Sequence, residues 1–345
     1  MAEWKSIAIV RLSSLGDIVH TLPAFSLLRR RFPGARIDWL AEAAGARLLK
    51  NFSGIDTIVP LAMKGKKWRD VAVTLFRFIR RNRHRYEAVI DFQGLFKSAI
   101  LAFLLDGERF GFHAANTREK WASYLYGHRA PPFDEADHVI RKNIHLACAL
   151  GVEADAIGAA GPIVYPRVAV PPSSALTDLW QALKLQPKDF FLLNVGGGWP
   201  TKVLSAEQYS QIARALRNRR QLIVLWGSEA ERRTAEVVCA ASGAVAAPLP
   251  EFNDLIAWIA RSRLLVSGDT LALHLADLVG TPSVGVFGPT SPRRNGSLLP
   301  ASRAVVTAEE CRFCYRRKCD TMSCLRHLDM SAVIHACQEI DEKLE

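Results

Sequence analysis

Short, continuous apolar segments alternate with amphipathic ones along the first half of the chain. Four segments rich in isoleucine and valine have the length and continuity of buried strands: Ser6–Val10, Arg36–Leu40, Thr57–Leu61 and Ala88–Phe92. Between them, Ile18–Phe32 and Trp68–Arg83 carry apolar residues at helical spacing. Strands that alternate with helices predict a parallel sheet covered by crossover helices.

The same alternation starts again in the second half. The strand-like segments are Phe190–Val195, Gln221–Trp226, Leu264–Ser267 and Ser283–Phe287. The helix-like segments are Ser205–Leu216, Glu229–Ala241, Asn253–Ala260 and Thr270–Val279. Two such arrays in succession predict an α/β chain with two doubly wound, Rossmann-like domains that face each other across a central cleft.

The stretch between the two arrays has the composition of a linker. Gly158–Ser174 contains four prolines and few helix formers. At the other end of the chain, Asp329–Leu344 is apolar on one face, which predicts a helix capped by Asp329. We therefore expect an N-terminal domain at residues 1–165, a C-terminal domain at 175–328 and a final helix at 329–345.

The charge of the chain is unevenly distributed. Its 345 residues include 45 Lys+Arg and 34 Asp+Glu, a formal net charge of +11, and 49% are hydrophobic. This globular composition excludes a mostly disordered or fibrous chain. Residues 1–150 hold 24 basic and 14 acidic side chains, whereas the remainder holds 21 and 20. The excess predicts that the first domain meets an anionic partner.

The sequence carries no recognisable export or membrane-insertion signal. The N-terminal segment lacks a long apolar core followed by small residues at a cleavage site. The longest apolar run, Ala99–Leu105, is far shorter than the ~20 residues that a membrane helix needs. Seven cysteines in a chain of this length do not form a disulfide scaffold. We therefore expect a cytoplasmic protein.

The first predicted strand leads into a turn that contains Ser13, Ser14, Gly16 and Asp17. A dinucleotide-binding turn has the pattern G-x-G-x-x-G, of which only Gly16 is present, so that ligand is not expected here. Asp17 has two interpretations that the residues alone leave open: an acid that stabilises the helix N-terminus, or a general base. Ser13 and Ser14 likewise have two interpretations: they cap the helix, or they donate to a ligand oxygen. His20 is interpreted as an ordinary helix residue.

Three turns of the second half follow predicted strands and carry polar residues. The first, Gly196–Lys202, ends in Thr201 and Lys202, and is typical either of a flexible loop or of a phosphate site. It lacks the spacing of a Walker A loop. The second holds Glu229, a candidate for ribose hydroxyls or a simple first-turn acid.

In the third turn, Asp269 and Thr270 precede His274 by about one helical turn. The carboxyl ends of parallel strands meet at one edge of a sheet. The three turns together therefore indicate a nucleotide-diphosphate site.

Several blocks of the sequence resemble those of a known protein family. The pattern K/R-x-S-S-x-G-D-x-x-H-x-L-P-A, here Arg11 to Ala24, is similar to the opening signature of the lipopolysaccharide heptosyltransferases of glycosyltransferase family 9. Later blocks match in the same order: Asp91–Ser98, Arg109–Phe112, Gly198–Lys202, Trp226–Glu229 and Gly268–His274. The resemblance covers roughly residues 5–300. Ile37–Glu42 and Asp91–Ser98 most resemble the type I branch, which adds the first heptose to the Kdo sugar of lipid A.

The resemblance implies a GT-B fold and inverting transfer of heptose from ADP-L-glycero-β-D-manno-heptose. The family's catalytic base falls on Asp17. Thr201 and Lys202 would hold the diphosphate, Glu229 the ribose, and Asp269 and Thr270 the donor heptose and phosphates. The complete set expected around the donor is Ser14, Gly16, Thr201, Lys202, Glu229, Asp269, Thr270 and His274. In one departure from the family, Leu271 replaces a glycine.

Basic residues of the first half fit the acceptor that the resemblance implies. Lys64–Arg85 contains nine Lys and Arg but only one acid, and no nucleic-acid-binding motif accompanies it. A Kdo–lipid A acceptor is anionic and lies in an anionic leaflet, so we expect the protein to act peripherally at the cytoplasmic face of the inner membrane, without nucleic acid. The expected acceptor-binding residues are Lys64, Lys66, Lys67, Arg69, Arg118 and Lys120.

Four cysteines cluster near the C-terminus. Cys311, Cys314, Cys319 and Cys324 are typical of reduced structural thiols, a structural metal site or disulfides, and their spacing is not the usual paired C-x2-C arrangement. No cofactor is expected for catalysis.

Two other functions stay open from the sequence. One is a family 9 enzyme with another acceptor, such as an inner-core heptose, or with another nucleotide sugar. The other is a non-catalytic protein that binds a sugar nucleotide or lipid A.

Overall fold

A computed structural model describes residues 3–61, 68–153, 163–169, 171–247 and 251–345. The chain divides into two compact units, Met1–Val170 and Pro171–Glu345. The division falls within the proline-containing stretch that separates the two predicted arrays.

The described residues of the first unit form one six-stranded sheet with helices. Its elements are β1 Ser6–Val10, α1 Leu15–Arg31, β2 Arg36–Ala41, α2 Ala43–Leu49, β3 Thr57–Pro60, α3 Trp68–Asn82, β4 Ala88–Asp91, α4 Phe96–Leu104, β5 Glu108–Gly111, β6 His128–Arg129 and α5 Val139–Cys148. The strand order is β3-β2-β1-β4-β5-β6, and every pairing is parallel. The order reverses between β1 and β4, where ligands bind in doubly wound sheets.

The second unit repeats this plan. Its elements are α6 Ser174–Ala182, β7 Phe190–Asn194, α7 Ala206–Arg217, β8 Gln221–Leu225, α8 Glu229–Ser242, β9 Val245–Ala246, α9 Phe252–Arg261, β10 Leu264–Gly268, α10 Leu271–Val279, β11 Ser283–Phe287, α11 Pro292–Asn295, β12 Arg303–Val306, α12 Ser323–Arg326 and α13 Met330–Lys343. The strand order is β12-β11-β10-β7-β8-β9, again parallel, with the reversal between β7 and β10.

The central strands are buried on both faces, as their continuous apolar sequences require. All five residues of β7 and of β11 are buried, as are four of the five in β1. The last helix, α13, packs its apolar side into the core of the second unit through Val333, Cys337 and Ile340. Among the described residues, no helix combines the length and the apolar character that a membrane crossing needs.

Several elements that the sequence analysis did not predict are short or lie at a sheet edge. The strands β6 and β9 have two residues each and lie at sheet edges, so they carry no apolar run to detect. Helix α4 is apolar around most of its circumference, so its sequence shows no helical period. The predicted elements themselves occur in the structure, with ends that differ by at most three residues.

Candidate functional site

In the first unit, Asp17 lies in the first turn of α1, directly beyond β1. Its Oδ2 accepts hydrogen bonds from the backbone N–H of Ser14 at 3.1 Å and from the Ser14 hydroxyl at 2.8 Å. Its Oδ1 lies 2.9 Å from a guanidinium nitrogen of Arg11. The side chain is still 38% exposed. Asp17 therefore stabilises the helix N-terminus and also offers a carboxylate to solvent, so the two interpretations do not exclude each other.

Arg11 connects Asp17 to the neighbouring strand. It is buried, and its guanidinium also donates to the carbonyl of Phe92, the residue after β4. The side-chain oxygen of Gln93 accepts from the backbone N–H groups of Leu12 and Ser13, each at 3.1 Å. The turn that carries Asp17 is thus fixed from the far side of the reversal point. Sequence reasoning assigned no role to Arg11 or Gln93, although both lie within the matched blocks.

A buried hydrogen-bond network around Asp91, the last residue of β4, supports Gln93. The Asp91 carboxylate accepts from the Tyr126 hydroxyl at 2.7 Å and from the Gln93 backbone N–H at 2.8 Å. Burial raises the pKa of Asp91, and these hydrogen bonds oppose that effect. Gly111 makes room for the tyrosine, because a Cβ there would lie 2.2 Å from the Tyr126 ring. Asp91 is enclosed by the protein and serves the loop rather than a ligand.

The remaining first-turn residues have separate surroundings. Gly16 is partly exposed at the start of α1 beside Asp17. His20 is buried within α1, and its ring meets that of His138 edge-on at 5.7 Å. The Asn143 amide donates to the His20 carbonyl at 2.9 Å. His20 is therefore a core residue of the α1–α5 contact, as its interpretation as a helix residue requires.

The structure describes three of the six predicted acceptor residues. Lys64, Lys66 and Lys67 lie outside the described residues. Arg69 is exposed in the first turn of α3. Arg118 and Lys120 are exposed on the segment between β5 and β6, where Lys120 begins a 3-10 helix at Lys120–Leu125. Their roles remain predictions.

In the second unit, Lys202 and Asp269 form the centre of the polar cluster between β7 and β10. The Lys202 ammonium lies 2.7 Å from Oδ2 of Asp269, and Asn295 donates to the same oxygen at 3.1 Å. Nε2 of His274 lies 3.3 Å from Oδ1. Burial alone would raise the pKa of Asp269, but His274 and Lys202 together hold it well below its ordinary value. The structure brings together three of the predicted donor residues, with an ionised aspartate at their centre.

Close backbone approach makes this cluster possible. A Cβ on Gly268 would lie 2.8 Å from the carbonyl oxygen of Lys202, so the loop after β7 touches the end of β10. Lys202 also lies over the Trp199 ring, 4.3 Å from its centroid, and the Arg317 guanidinium is 4.7 Å from the same centroid. Two cations therefore flank one indole at the strand ends. Arg317 is a basic residue of the site that sequence reasoning missed.

The two threonines contribute mainly to the local backbone. Thr270 is the N-cap of α10, and its hydroxyl is bonded to Asn194 at 3.2 Å and Ser267 at 2.9 Å. Thr201 is buried, and its hydroxyl donates to the carbonyl of Arg316 at 2.8 Å. Leu271 follows as the first residue of α10. The N–H groups at this helix end point toward the strand ends, where an anion is favoured.

Two glutamates of α8 have different environments. Glu231 joins the glycine turns, because its carboxylate accepts from the N–H of Gly197 at 3.1 Å and of Gly227 at 2.7 Å. Glu229 is exposed at the start of α8 and pairs with Arg232 at 2.7 and 2.9 Å, which lowers its pKa. The pattern S-x-x-E at Ser228 would have identified Glu231 as the residue that faces back to the loop.

The four clustered cysteines are free thiols beside the same site. Backbone bonds from Phe313 to Gly288 and from Tyr315 to Pro289 attach their loop to the turn after β11. A hydrogen bond from Thr321 lowers the pKa of Cys319, whereas burial, followed by the other three thiols, raises that of Cys324 to about 11. Within the described ranges, no group of three or more His, Cys, Asp or Glu side chains has an arrangement that could hold a metal ion.

Comparison with known proteins identifies the family. Residues 74–324, well over half of the chain, match the profile of glycosyltransferase family 9 (heptosyltransferase). Lipopolysaccharide heptosyltransferase 1 of Pseudomonas aeruginosa is 27% identical over 327 residues, which cover 91% of this chain and 87% of that protein.

Solved structures agree with the profile. E. coli heptosyltransferase WaaC with ADP-2-deoxy-2-fluoro heptose aligns with a TM-score of 0.73 at 21% identity, over 99% of this chain and 100% of that one. A family 9 glycosyltransferase of Veillonella parvula aligns with a TM-score of 0.78 at 17% identity, over 98% and 97%. The shared architecture is the GT-B fold with its two Rossmann-like units. The chain belongs to glycosyltransferase family 9, the heptosyltransferases.

Proposed function

We propose that this protein transfers L-glycero-D-manno-heptose from ADP-heptose, with inversion, to the Kdo region of lipid A during synthesis of the lipopolysaccharide inner core. The observation that carries the proposal is the exposed Asp17 carboxylate, held by Arg11 and Ser14 at the reversal point of the first sheet. The match to relatives named lipopolysaccharide heptosyltransferase 1 supports the choice of reaction.

Asp17 acts as the general base in this reaction. Its solvent-exposed carboxylate accepts the proton of the acceptor hydroxyl while the hydroxyl oxygen attacks the anomeric carbon. The bond from that carbon to the ADP oxygen breaks, and its electron pair leaves with ADP. A single displacement inverts the anomeric carbon and needs no covalent intermediate. The transition state carries oxocarbenium character, as in glycoside chemistry generally.

Lys202 stabilises the ADP that leaves. Its ammonium is held at 2.7 Å by Asp269, and the N-terminus of α10 adds backbone N–H groups that favour a diphosphate. Arg317 adds a second positive charge, because its guanidinium also lies against the Trp199 ring. In this proposal Asp269 and His274 act mainly by orienting Lys202, while Thr201 and Thr270 shape the backbone around the phosphates. Glu229 keeps its assignment to the ribose, and Ser14 and Gly16 lie beside the base.

The acceptor is proposed to bind through the basic residues of the first unit. A lipid A acceptor carries phosphates and Kdo carboxylates, which match the exposed guanidinium and ammonium groups of Arg69, Arg118 and Lys120. The proposed location is the cytoplasmic face of the inner membrane, and no nucleic acid is involved. Charge-neutralising substitutions at these three positions should raise the acceptor KM and leave the KM of ADP-heptose nearly unchanged. Equal effects on both constants would contradict the assignment.

No cofactor is proposed for the chemical step, because Asp17 and Lys202 supply the base and the electrophilic stabilisation. Turnover should therefore persist in EDTA. The four-cysteine loop is proposed to hold reduced structural thiols, with a structural metal as the alternative. Metal analysis of protein purified without chelator separates these two states, and a stoichiometric metal would establish the alternative.

The decisive experiment measures turnover of ADP-heptose on Kdo2–lipid A by the wild type and by Asp17→Ala. The wild type should form the heptosylated product, whereas Asp17→Ala should bind ADP with unchanged affinity in calorimetry and lose product formation. Impaired ADP binding without a slower chemical step would refute the base assignment. Other nucleotide sugars and a heptose-bearing acceptor are run in parallel, since a preference for one of these would identify a different family 9 reaction. Binding without any turnover would indicate a non-catalytic protein.

A further inference from the structure

Helix α4 leaves a large apolar surface uncovered. Its residues Ser98, Ala99, Leu101 and Ala102 are buried, whereas Phe96, Ile100, Phe103 and Leu104 are between 38% and 49% exposed. These four positions are spaced at i, i+4, i+7 and i+8, so they form one side of the helix. An amphipathic surface helix normally places polar residues on that side.

The neighbouring 3-10 helix extends this surface. Trp121 and Tyr124 are 75% and 68% exposed, and their rings lie 5.8 Å apart. The 3-10 helix packs against α4, where Ala99, Ala122 and Tyr126 form a small buried cluster. We call the six exposed side chains the apolar face: Phe96, Ile100, Phe103, Leu104, Trp121 and Tyr124. They are half of the twelve large apolar side chains that are exposed within the described residues, which marks a concentrated patch rather than scattered exposure.

Polar contacts hold the two parts of the apolar face in fixed positions. The Glu119 carboxylate accepts from the Phe96 backbone N–H at 2.6 Å, at the N-terminus of α4. The Arg109 guanidinium lies 5.1 Å from the centroid of the Phe103 ring and donates to the Leu125 carbonyl at 2.9 Å. These exposed side chains therefore project from a braced scaffold. They do not belong to a loose loop.

The surroundings of the apolar face are basic. Lys97 is exposed on the same helix, Arg109 lies against the Phe103 ring, and Arg118 and Lys120 precede Trp121 in the chain. Glu119 is engaged with the α4 N-terminus, and Lys97 lies 3.8 Å from Glu42. Aromatic rings beside Lys and Arg are typical of surfaces that enter the headgroup region of an anionic bilayer. A second copy of this chain would bring two equal basic rims together and be repelled.

We propose that the apolar face docks the first unit on an anionic bilayer. The inference deepens the proposed function, on which its biological purpose rests, because a lipid-anchored acceptor must be reached at a membrane surface. Helix α4 and α1 both begin at the carboxyl ends of adjacent strands, β4 and β1, so the N-terminal end of α4 lies on the same edge of the sheet as Asp17. Docking through this helix would place that edge close to the headgroups.

The test uses vesicles that contain no sugar-bearing lipid. The full-length protein is sedimented with vesicles of phosphatidylethanolamine and phosphatidylglycerol, and with phosphatidylcholine vesicles as the uncharged control. The variants are Phe103→Ser, Trp121→Ser and the double variant. Val237→Ser on α8, a residue 53% exposed in the second unit, is the matched control. Each single variant should weaken binding several-fold and the double variant at least about tenfold, while Val237→Ser binds as the wild type does. High salt should weaken wild-type binding.

Activity on an acceptor without acyl chains separates docking from folding. The variants should turn over such a water-soluble acceptor at the wild-type rate, because they leave both polar clusters untouched. Failure of the wild type to bind anionic vesicles, or equal binding by wild type and double variant, would overturn the proposal. Light scattering that shows a wild-type dimer and a monomeric double variant would assign the apolar face to self-association instead. If turnover fails in every sample while vesicle binding follows the pattern above, the proposed function is wrong and the docking surface stands.

Discussion

The two units each present an aspartate at the reversal point of the sheet, yet the two carboxylates have opposite environments. Asp17 follows β1 and is 38% exposed, and its partner Arg11 is 9% exposed. Asp269 follows β10 and is 2% exposed, and its partner Lys202 is 13% exposed. In the first unit a buried cation therefore supports an accessible anion. In the second, a buried anion supports the more accessible cation.

This reversal matches the role that we propose for each unit. Proton abstraction needs an accessible carboxylate, whereas binding of a diphosphate needs an accessible positive charge. The same fold position serves both, because the more exposed member of each ion pair is the one that can meet a substrate. Ser14 and Arg11 donate to Asp17, and Lys202, His274 and Asn295 surround Asp269. The comparison yields a rule that substitutions can break: the exposed partner affects chemistry or binding directly, and the buried partner acts through it.

The largest effect should come from Asp17→Asn. The amide keeps the shape and part of the hydrogen bonding but cannot accept the acceptor proton, so kcat should fall by about 10²–10⁴-fold. The KM of ADP-heptose should change little, because most of the proposed donor residues belong to the second unit. Steady-state kinetics on Kdo2–lipid A and ADP calorimetry measure the two effects. A large loss of ADP affinity with kcat retained would make Asp17 a binding residue.

Lys202→Met should produce the complementary result. Removal of the ammonium deletes a charge-assisted contact to the diphosphate, so ADP affinity should fall by about 10- to 100-fold. Lys202→Arg is the matched control, since it retains the positive charge and should recover part of the affinity. Calorimetric titration with ADP provides the measurement. Wild-type ADP affinity in Lys202→Met would show that the second unit does not use Lys202, the more accessible member of its ion pair, as proposed.

Asp269→Asn tests the buried member of that pair through stability. The folded pKa of Asp269 lies below the ordinary value of 3.8, so its ionised form stabilises the fold above about pH 4. This stabilisation is lost as the pH falls below that value toward the folded pKa. Asp269→Asn should therefore cost about 2 kcal/mol at pH 7, and the difference from wild type should shrink below pH 4. Paired thermal unfolding from pH 7 to pH 3 measures it, and a difference that is constant with pH would contradict the ionised state.

The sequence predicts which turns carry these residues, because strands and helices leave local patterns of apolar positions. Every turn that carries Asp17, Lys202, Glu229 or Asp269 was located at a strand end from apolar runs and their boundaries. The contacts that attach the Asp17 turn to the strand β4 side, and Lys202 to Asp269, are not local. Arg11 reaches Phe92 across 81 positions and Lys202 reaches Asp269 across 67, and neither spacing leaves a periodic signal. Burial could not be predicted either, because a strand-end aspartate has the same sequence context whether it faces solvent or the protein interior.

Arg11 tests the buried member in the first unit and should have a smaller effect than its partner. Arg11→Met removes the guanidinium from Asp17 and from the Phe92 carbonyl, so the carboxylate loses its fixed position. We expect kcat to fall about tenfold, with an unchanged KM for ADP-heptose. Arg11→Lys, which restores a positive charge in the same place, should recover part of kcat. A merely structural residue would instead lower the melting temperature without a selective effect on kcat.

The two glutamates of α8 provide the finest test of the exposure rule. Glu229 is exposed and pairs with Arg232 and Arg233 on its own helix, so Glu229→Gln should leave the melting temperature unchanged. It should weaken ADP binding about three- to tenfold if Glu229 contacts the ribose. Both carboxylate oxygens of Glu231 accept hydrogen bonds, from the N–H groups of Gly197 and Gly227. Glu231→Gln should therefore lower the melting temperature and affect ADP binding less than Glu229→Gln does. Differential scanning calorimetry and ADP titration of the two variants make the comparison. If Glu231→Gln instead weakened ADP binding more than Glu229→Gln does, the glycine turns would have to open in the complex and release Glu231 to the nucleotide. Solvent exposure in the ligand-free protein would then not identify the substrate-facing residue of this unit.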